Sequence, residues 1–308
     1  MNKYVILLLY IKEWKLPLAF EHYFLGSGLN FFITKKLQEL QRKLMYKKNN
    51  TINKEFKNDI KDLNEKYQRN STFEKNETIW QYWDKEPKPK VVNLCMKSLS
   101  ELCSYRRIVL NDENLLNYYV PSEIINQKVK KGYITKTHFS DILRVNLLYK
   151  YGGAWLDSTI FITKEPKELF NHEFWTIKRK QSCIPSKGMW TGYAISAQKN
   201  NKLMYYLSNL FNIYWEKHNT MIDYFLIDIF IYILYCEDKE IKQMIDQVEF
   251  NNEHCIELEN FLNSNIDDIP KNLSNTGIFK LNWKLSKQEE NNGKKTLYRK
   301  LLDEYEID

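Results

Sequence analysis

The sequence lacks an apolar run long enough to cross a membrane. Its N-terminal apolar stretch covers only residues 5–11, and Lys12, Glu13 and Lys15 follow closely. A membrane-spanning helix needs about 20 consecutive apolar residues, so none is expected. The stretch also lacks a small-residue cleavage site, which argues against a secretory signal peptide. We therefore expect a cytoplasmic protein.

Two further absences narrow the possible chemistry. The five cysteines form no CxxC pair and are odd in number. This pattern predicts reduced thiols in a cytosolic protein rather than a disulfide framework or a zinc site. The sequence also has no internal repeat, no glycine-rich phosphate loop and no Ser/His/Asp hydrolase signature.

The positive charge is confined to one end of the chain. The net charge is +7, and residues 1–70 contain 14 Lys and Arg against 7 Asp and Glu, which is the whole excess. A neutral remainder argues against a nucleic-acid-binding core, so no nucleic-acid partner is expected. We divide the chain into a basic helical extension, residues 1–70, and a main domain, residues 77–308, joined by a polar linker.

The basic extension contains two apolar repeats at helical spacing. They comprise Ile33, Leu37, Leu40 and Leu44 within residues 29–48, and then Phe56, Ile60, Leu63 and Tyr67. The repeats predict a helical hairpin ahead of the main domain. Basic residues surround the first repeat, which leaves two interpretations open. The helix lies on an anionic membrane surface, or it packs on the main domain with a solvated charged face.

The main domain begins with a strand–helix–strand pattern. Residues 78–83 and 105–110 have the composition of strands, and residues 91–102 between them have a helical pattern. This order predicts an α/β domain with a mainly parallel sheet.

Residues 138–162 form the stretch around which the domain is organised. Their first half, residues 138–151, carries an apolar stripe at helical spacing. Thr137 or Ser140 can cap the start of this helix, and Gly152 stands where a C-terminal cap belongs.

The second half of the stretch combines a buried strand with charge. Residues 154–162 are apolar and β-branched, but Asp157 interrupts them. A buried ionised carboxylate is costly unless it meets a cation, a metal ion or hydrogen-bond donors. On the preceding helix, Asp141 and Arg144 are three residues apart and therefore share a face.

This stretch resembles the sugar-transferring enzymes with a DXD motif, in particular the capsular-polysaccharide group of bacterial glycosyltransferases. The glucosylating toxins are more distant relatives. The residues that carry the resemblance are Ser140, Asp141, Leu143, Arg144, Leu147, Gly152, Gly153, Trp155, Leu156 and Asp157. Thr159 stands where these relatives carry the second aspartate, and the capsular group often has a threonine there too. A weaker similarity covers about residues 79–284 and leaves the N-terminal extension out.

The resemblance implies a GT-A-like, Rossmann-like α/β fold that binds a UDP-sugar together with Mn²⁺ or Mg²⁺. Asp157 and Thr159 would form the metal site, and this site would be weak because threonine is neutral. Asp141 and Arg144 would hold the hydroxyls of the donor sugar through charge-assisted hydrogen bonds. The alternative for Asp141 and Arg144 is an ordinary helix ion pair.

The resemblance also implies a set of donor-binding residues. They are Trp80, Gln81, Tyr82, Ser140, Asp141, Arg144, Asp157, Ser158, Trp283 and Lys284. Trp80 would lie near the uracil, or else belong only to the core. Trp283 and Lys284 would come from a C-terminal loop that closes over the diphosphate. Asp223 would be a further catalytic carboxylate beside Asp141, Arg144 and Asp157, or else a solvated carboxylate at a helix start.

The function implied is retaining transfer of a hexose, galactose or glucose, from a UDP-sugar. The acceptor would be a lipid-linked repeat unit of a capsular or surface polysaccharide, reached from the inner face of the cell membrane. The sequence offers no unmistakable nucleophile, and a front-side mechanism would need none. Two alternatives remain open: a protein-modifying glycosyltransferase of the same fold, and a degenerate protein that binds a sugar nucleotide without turnover.

Overall fold

The computed structural model describes residues 8, 12–14, 35–68, 76–180 and 186–308, and only the backbone of residues 35–42. The helices, in chain order, are α1 (Lys35–Lys66), α2 (Lys90–Leu102), α3 (Glu123–Lys130), α4 (Lys136–Tyr151), α5 (Lys202–Lys217), α6 (Leu226–Glu237), α7 (Lys239–Asp246) and α8 (Leu297–Glu304). The strands are β1 (Thr78–Tyr82), β2 (Arg106–Leu110), β3 (Gly153–Leu156), β4 (Ile160–Ile162), β5 (Phe174–Thr176), β6 (Ala194–Ala197), β7 (Ile278–Lys280), β8 (Glu290–Asn291) and β9 (Lys294–Lys295).

The central sheet has five strands in the order β2-β1-β3-β6-β5. Strand β1 pairs in parallel with both β2 and β3, whereas β6 is antiparallel to β3 and to β5. The expected α/β class is confirmed. The sheet is mixed rather than mainly parallel, because β6 and β5 extend it in antiparallel pairs.

The strand order creates a crevice between β1 and β3. From β1 the chain crosses through α2 to β2 on one side, and then returns through α3 and α4 to β3 on the other. The chain therefore leaves the carboxyl end of β1 toward β2 on one side, and it leaves the carboxyl end of β3 toward β5 and β6 on the other side. In open α/β sheets this reversal marks the place where ligands bind.

The central stretch forms a helix and a strand, as predicted, but both differ in detail. Helix α4 is capped by Thr135, whose Oγ1 accepts a hydrogen bond from His138 N at 3.2 Å, and not by Thr137 or Ser140. Gly152 ends the helix at φ 71°, a conformation that favours glycine.

The predicted strand over residues 154–162 is two strands. Its break lies at Asp157, whose N donates to Tyr193 O and whose carbonyl accepts from Ile160 N, both at 2.9 Å. These bonds form a turn that directs β4 out of the central sheet and into an antiparallel pair with β7. The polar residues between the two strands therefore lie in a turn.

Helix α1 is one continuous helix of 32 residues, so the hairpin prediction is wrong. Neither glycine nor proline interrupts residues 35–66, and nothing in that composition forces a turn. Its buried side chains Leu44, Ile52, Phe56 and Leu63 share the helical spacing of a single face. That face packs against α5 and α6. No helix in the described part of the chain is both long and apolar enough to span a membrane.

A second apolar cluster lies on the other side of the domain. It brings α2 and β4 together with β7 and the C-terminal helix α8. Because β7 is held in this cluster and also pairs with β4, the C-terminal segment of the chain is fixed beside the carboxyl end of β3.

Candidate functional site

A cavity of about 520 Å³ lies at the carboxyl ends of β1 and β3. Its volume falls within the range of small-molecule sites. The lining residues are Tyr82, Trp83, Asp84, Lys85, Lys136, Thr137, Ser140, Trp155, Asp157, Ser158, Thr159, Tyr224, Ile256, Glu259, Lys280, Leu281, Asn282, Trp283, Lys284 and Leu285. The lining thus combines the ends of two sheet strands with the segment that follows β7.

Asp157 is the carboxylate at the centre of this cavity. Its Oδ1 accepts hydrogen bonds from Trp155 Nε1 at 2.8 Å and Arg144 Nη2 at 3.2 Å, and its Oδ2 accepts one from Lys280 Nζ at 2.7 Å. Burial alone would raise the pKa of Asp157, but the charges of Lys280 and Arg144 outweigh burial and bring the pKa below its ordinary value. Asp157 is therefore an ionised acceptor at neutral pH.

Arg144 holds Asp157 in position through an ion pair. Its Nη1 lies 2.9 Å from Asp141 Oδ1, so the guanidinium bridges the two carboxylates. Its side chain is only 5% exposed and lies 5.1 Å from the centre of the Trp155 ring. Gly192 leaves room for it, because a Cβ there would lie 2.8 Å from Arg144 Nη1.

Lys280, which was not predicted from the sequence, supplies the second cation. Its Nζ lies 2.7 Å from Asp157 Oδ2 and 2.5 Å from Thr159 Oγ1. It also lies 5.5 Å from the centre of the Tyr193 ring. The basic character of residues 275–287 was the available signal. The register that pairs Ile160 with Lys280 could not be read from the sequence.

The expected divalent cation does not fit this arrangement. Both residues assigned to it, Asp157 and Thr159, direct an oxygen to the Lys280 ammonium, namely Asp157 Oδ2 and Thr159 Oγ1. A second cation at the same oxygens would meet strong like-charge repulsion. Within the described ranges, no group of three or more His, Cys, Asp or Glu side chains is arranged to hold a metal ion.

Two tryptophans form the aromatic wall of the cavity. The rings of Trp83 and Trp283 meet edge to face, with centroids 5.5 Å apart. Lys85 Nζ lies 5.4 Å and Lys284 Nζ 5.7 Å from the Trp283 ring. Trp283 is 36% exposed, so a flat ligand can reach it. Trp83 was not predicted to belong to the site, although it directly follows the last residue of β1.

Residues 30–301 match the model of a family described as capsular polysaccharide synthesis protein. The chain belongs to this family. The matched range begins before α1, so the family similarity includes most of the segment that the sequence analysis left outside the resemblance. No curated protein is similar enough to the chain to match it.

Two solved structures are also similar to this family member. "PaToxG Glycosyltransferase" is 17% identical over 65% of this chain and 83% of that chain, with a TM-score of 0.36. The apo-form glycosyltransferase GlyE of Streptococcus pneumoniae TIGR4 is 16% identical over 76% of this chain, with a TM-score of 0.40. The similarity covers 61% of the GlyE chain, which is less than two thirds of its length.

Trp80 and Gln81 lie in the core of this family member rather than on the cavity. Trp80 is 2% exposed, donates from Nε1 to Gly152 O at 2.9 Å and packs against Tyr118 and Tyr151. Gln81 is fully buried, and its side-chain amide has no hydrogen-bond partner among the residues that the structure describes. Of the three β1 residues expected to bind the donor, only Tyr82 lines the cavity.

Four predicted polar residues lie on the cavity surface. Ser140, Ser158, Thr159 and Lys284 all line it. Ser140 Oγ donates to Thr137 O at 2.6 Å, and Ser158 Oγ donates to Tyr82 O at 2.9 Å. The Ser158 bond joins the carboxyl ends of β1 and β3, the two strands between which the cavity opens.

Asp223 is not among the residues that line the cavity, although the next residue, Tyr224, is. It pairs with Lys48 of α1 at 2.5 Å and accepts a hydrogen bond from Phe225 N at 2.8 Å. The active-site alternative for Asp223 therefore has no contact to support it. Its neighbour Asp228 is buried and accepts from Trp190 Nε1 at 2.9 Å. Burial first, and then the nearby charge of Asp141, raise the pKa of Asp228 to about 7.

Proposed function

We propose that this protein is a glycosyltransferase that uses the cavity between β1 and β3 to bind a UDP-sugar. The observation that carries the proposal is an ionised Asp157 held between Arg144 and Lys280 at the carboxyl ends of two parallel strands, beside the Trp83 and Trp283 rings. This combination supplies an aromatic surface, cations and a fixed acceptor in one crevice. Family membership in capsular polysaccharide synthesis supports the same class of reaction.

Each part of a UDP-sugar has a complementary group in the cavity. The indoles of Trp83 and Trp283 suit a flat base, because aromatic stacking tolerates any heterocycle of that shape. Lys85 and Lys284 flank the Trp283 ring, and their charges suit the diphosphate. Asp157 is placed to accept a hydrogen bond from a sugar hydroxyl, since its low pKa keeps it ionised.

The proposed reaction moves one hexose, galactose or glucose, with retention of configuration. The bond between the anomeric carbon and the diphosphate oxygen breaks, and its electron pair stays on that oxygen. The acceptor oxygen forms the new bond to the same face of the anomeric carbon. Its proton passes to the departing diphosphate, so the products are UDP and the glycosylated acceptor. This front-side course requires no protein nucleophile.

The proposed acceptor is a lipid-linked intermediate of a capsular or surface polysaccharide, reached at the inner face of the cell membrane. Two features support it: the family, and the basic character of residues 1–70. Several lysines of α1 are exposed, among them Lys54, Lys57 and Lys61. Such charges attract anionic lipid headgroups.

The test is UDP release by the full chain from a panel of UDP-hexoses, with lipid extract as acceptor and with buffer alone. The proposal expects release from one hexose donor, increased by the lipid acceptor and lost in Asp157→Asn. Stimulation by a protein acceptor instead would favour the protein-modifying alternative. UDP binding without release from any donor would favour the degenerate alternative, which the neutral Thr159 supports.

A further inference from the structure

We propose that Lys280 takes the place of the divalent cation, so that this protein stabilises the departing diphosphate with its own ammonium group and transfers sugar without a metal ion. The inference rests on the proposed function, and assigns a catalytic group within the same cavity. Lys280 Nζ lies between one oxygen of each of the two residues that the resemblance assigns to the metal, Asp157 and Thr159.

The position of Lys280 is fixed by the backbone around it. In the antiparallel β4–β7 pair it stands opposite Ile160. Lys280 N donates to Cys255 O at 2.7 Å, and Leu281 N donates to Thr159 O at 2.9 Å. These bonds hold the strand against the turn that carries Asp157, so the ammonium does not depend on a long flexible loop for its position.

The hydrogen-bonding capacity of Lys280 leaves one donor for a ligand. An ammonium group has three N–H donors. Asp157 Oδ2 and Thr159 Oγ1 accept two of them, at 2.7 Å and 2.5 Å. The side chain is 26% exposed and lines the cavity, so the third donor can reach a phosphate oxygen there.

A metal ion and Lys280 cannot both use these oxygens. A Mg²⁺ bound to Asp157 Oδ2 at about 2.1 Å would share that oxygen with Nζ, which lies 2.7 Å away. The two positive charges would then be within about 5 Å of each other, in a partly buried site where repulsion is strong. Thr159 agrees with this assignment, because a neutral hydroxyl is a good partner for an ammonium and a poor ligand for a hard cation.

Lys280 takes no proton from the reaction and gives none. It stays protonated and donates a hydrogen bond to the diphosphate, whose negative charge grows as the bond to the anomeric carbon breaks. A fixed donor aimed at developing charge lowers the barrier, because its orientation costs nothing at the moment of reaction. The proton of the acceptor still passes to the diphosphate oxygen.

The experiment measures two quantities for the full chain, the initial rate of UDP release and the affinity for UDP, each in EDTA and in Mn²⁺ or Mg²⁺. Wild type is expected to keep its rate and its UDP affinity in EDTA within about twofold. Lys280→Gln is expected to lose roughly 100-fold in rate and to bind UDP more weakly, and Lys280→Arg to recover part of both. Lys294→Gln, an exposed lysine on β9, is the matched control.

The inference would be overturned if wild type released or bound UDP in Mn²⁺ or Mg²⁺ but not in EDTA, or if the rate were unchanged in Lys280→Gln. Thermal unfolding of each variant checks that it folds. The UDP-binding arm separates the two proposals. If wild type binds UDP in EDTA through Lys280 but releases none from any donor, the transfer function fails and the metal-free diphosphate site stands. If UDP does not bind with or without metal, both fail.

A double variant gives a positive test. Thr159→Asp combined with Lys280→Ala removes the ammonium group and leaves two carboxylates, those at positions 157 and 159, free to bind a metal ion. This variant is expected to bind UDP more tightly in Mn²⁺ than in EDTA, by about tenfold or more. An equal affinity for UDP in both buffers would contradict the proposal that the Lys280 ammonium takes the place of a divalent cation.

Discussion

Two regions of the molecule meet in the cavity, and they differ in how the chain brings them there. The first, residues 136–157, is continuous, and its helix, glycine turn and strand place Arg144 and Asp157 together by local geometry. The second, residues 278–285, arrives from more than 120 positions further along the chain and brings Lys280 and Trp283. The first region supplies Asp141, Asp157 and the cation Arg144, and the second region supplies the second cation, Lys280.

The difference shows that the charge balance of the site is a tertiary property. Asp157 without Lys280 would be a carboxylate with one cation and an open Oδ2, which suits a metal ion. With Lys280 present, the same residue is already paired on both oxygens. A motif that suggests a metal site in the sequence can therefore become an ion pair in the folded chain.

The largest effect is expected where the two regions meet. Asp157→Asn removes the charge that pairs with both Arg144 and Lys280. We expect UDP release to fall by roughly 1,000-fold and the free energy of unfolding to fall by about 3 kcal/mol. Enzyme assay and chemical denaturation measure the two. Asp268→Asn, an exposed carboxylate, is the matched control, and equal behaviour of both variants would exclude a central role for Asp157.

A smaller effect is expected within the first region. In Gly192→Ala the new Cβ would lie 2.8 Å from Arg144 Nη1, so the guanidinium must shift although two carboxylates hold it. We expect about tenfold slower UDP release. The control is Arg144→Lys, in which Gly192→Ala should add little, because coupled residues are not additive. Fully additive losses would show that Gly192 acts by another route.

The structure and the sequence resemblance assign different tryptophans to the base of the donor. The structure favours Trp83 and Trp283, whereas the resemblance placed Trp80 near the uracil. Trp83→Ala and Trp283→Ala are each expected to weaken UDP binding about tenfold, because each removes a stacking surface. Trp80→Phe is expected to leave UDP affinity unchanged and to lower stability, since its indole bonds to Gly152 O inside the core. Calorimetric titration with UDP measures the affinity of each variant. A weaker affinity in Trp80→Phe alone would restore the assignment from the resemblance.

The smallest expected effect is on pH-dependent stability. Burial raises the pKa of Asp228 to about 7, above its unfolded value, so the folded state holds a proton that the unfolded state has lost. The stability from this group is therefore lost as pH rises from about 4 through 7. Asp157 has the opposite sign, since its pKa is lowered and its contribution is lost as pH falls.

Asp228→Asn measures this contribution directly. The wild-type melting temperature should fall between pH 5 and pH 8 relative to that of Asp228→Asn, by a few degrees or more. The Asn side chain can still accept the hydrogen bond from Trp190, so packing is preserved. Identical pH profiles of the two proteins would show that Asp228 is ionised in the fold.

The sequence was informative where structure is local. The spacing of Asp141 and Arg144 and the Gly152 cap follow from helix geometry, and the structure has all three. It was less informative for strand ends. Trp80 and Trp83 lie in one short motif, and only the end of β1 at Tyr82 decides which of them reaches the cavity.

The rest depends on pairing between distant segments. Lys280 contacts Asp157 because of the register in which β7 pairs with β4. Asp223 forms an ion pair with Lys48 because α1 packs on the domain. Neither the register of these strands nor the packing of this helix can be predicted from a periodic pattern in the sequence. The same limit explains why α1 looked like two helices, since the sequence does not show that a single partner surface covers its buried face.

The roles of Asp157 and Lys280 are tested most directly by UDP release from UDP-hexoses by the full chain in EDTA, comparing wild type with Asp157→Asn and Lys280→Gln. We predict that wild type releases UDP from one hexose donor, and that both variants lose this release while they remain folded. Release that appears only with Mn²⁺ or Mg²⁺, or that persists in both variants, would contradict this prediction.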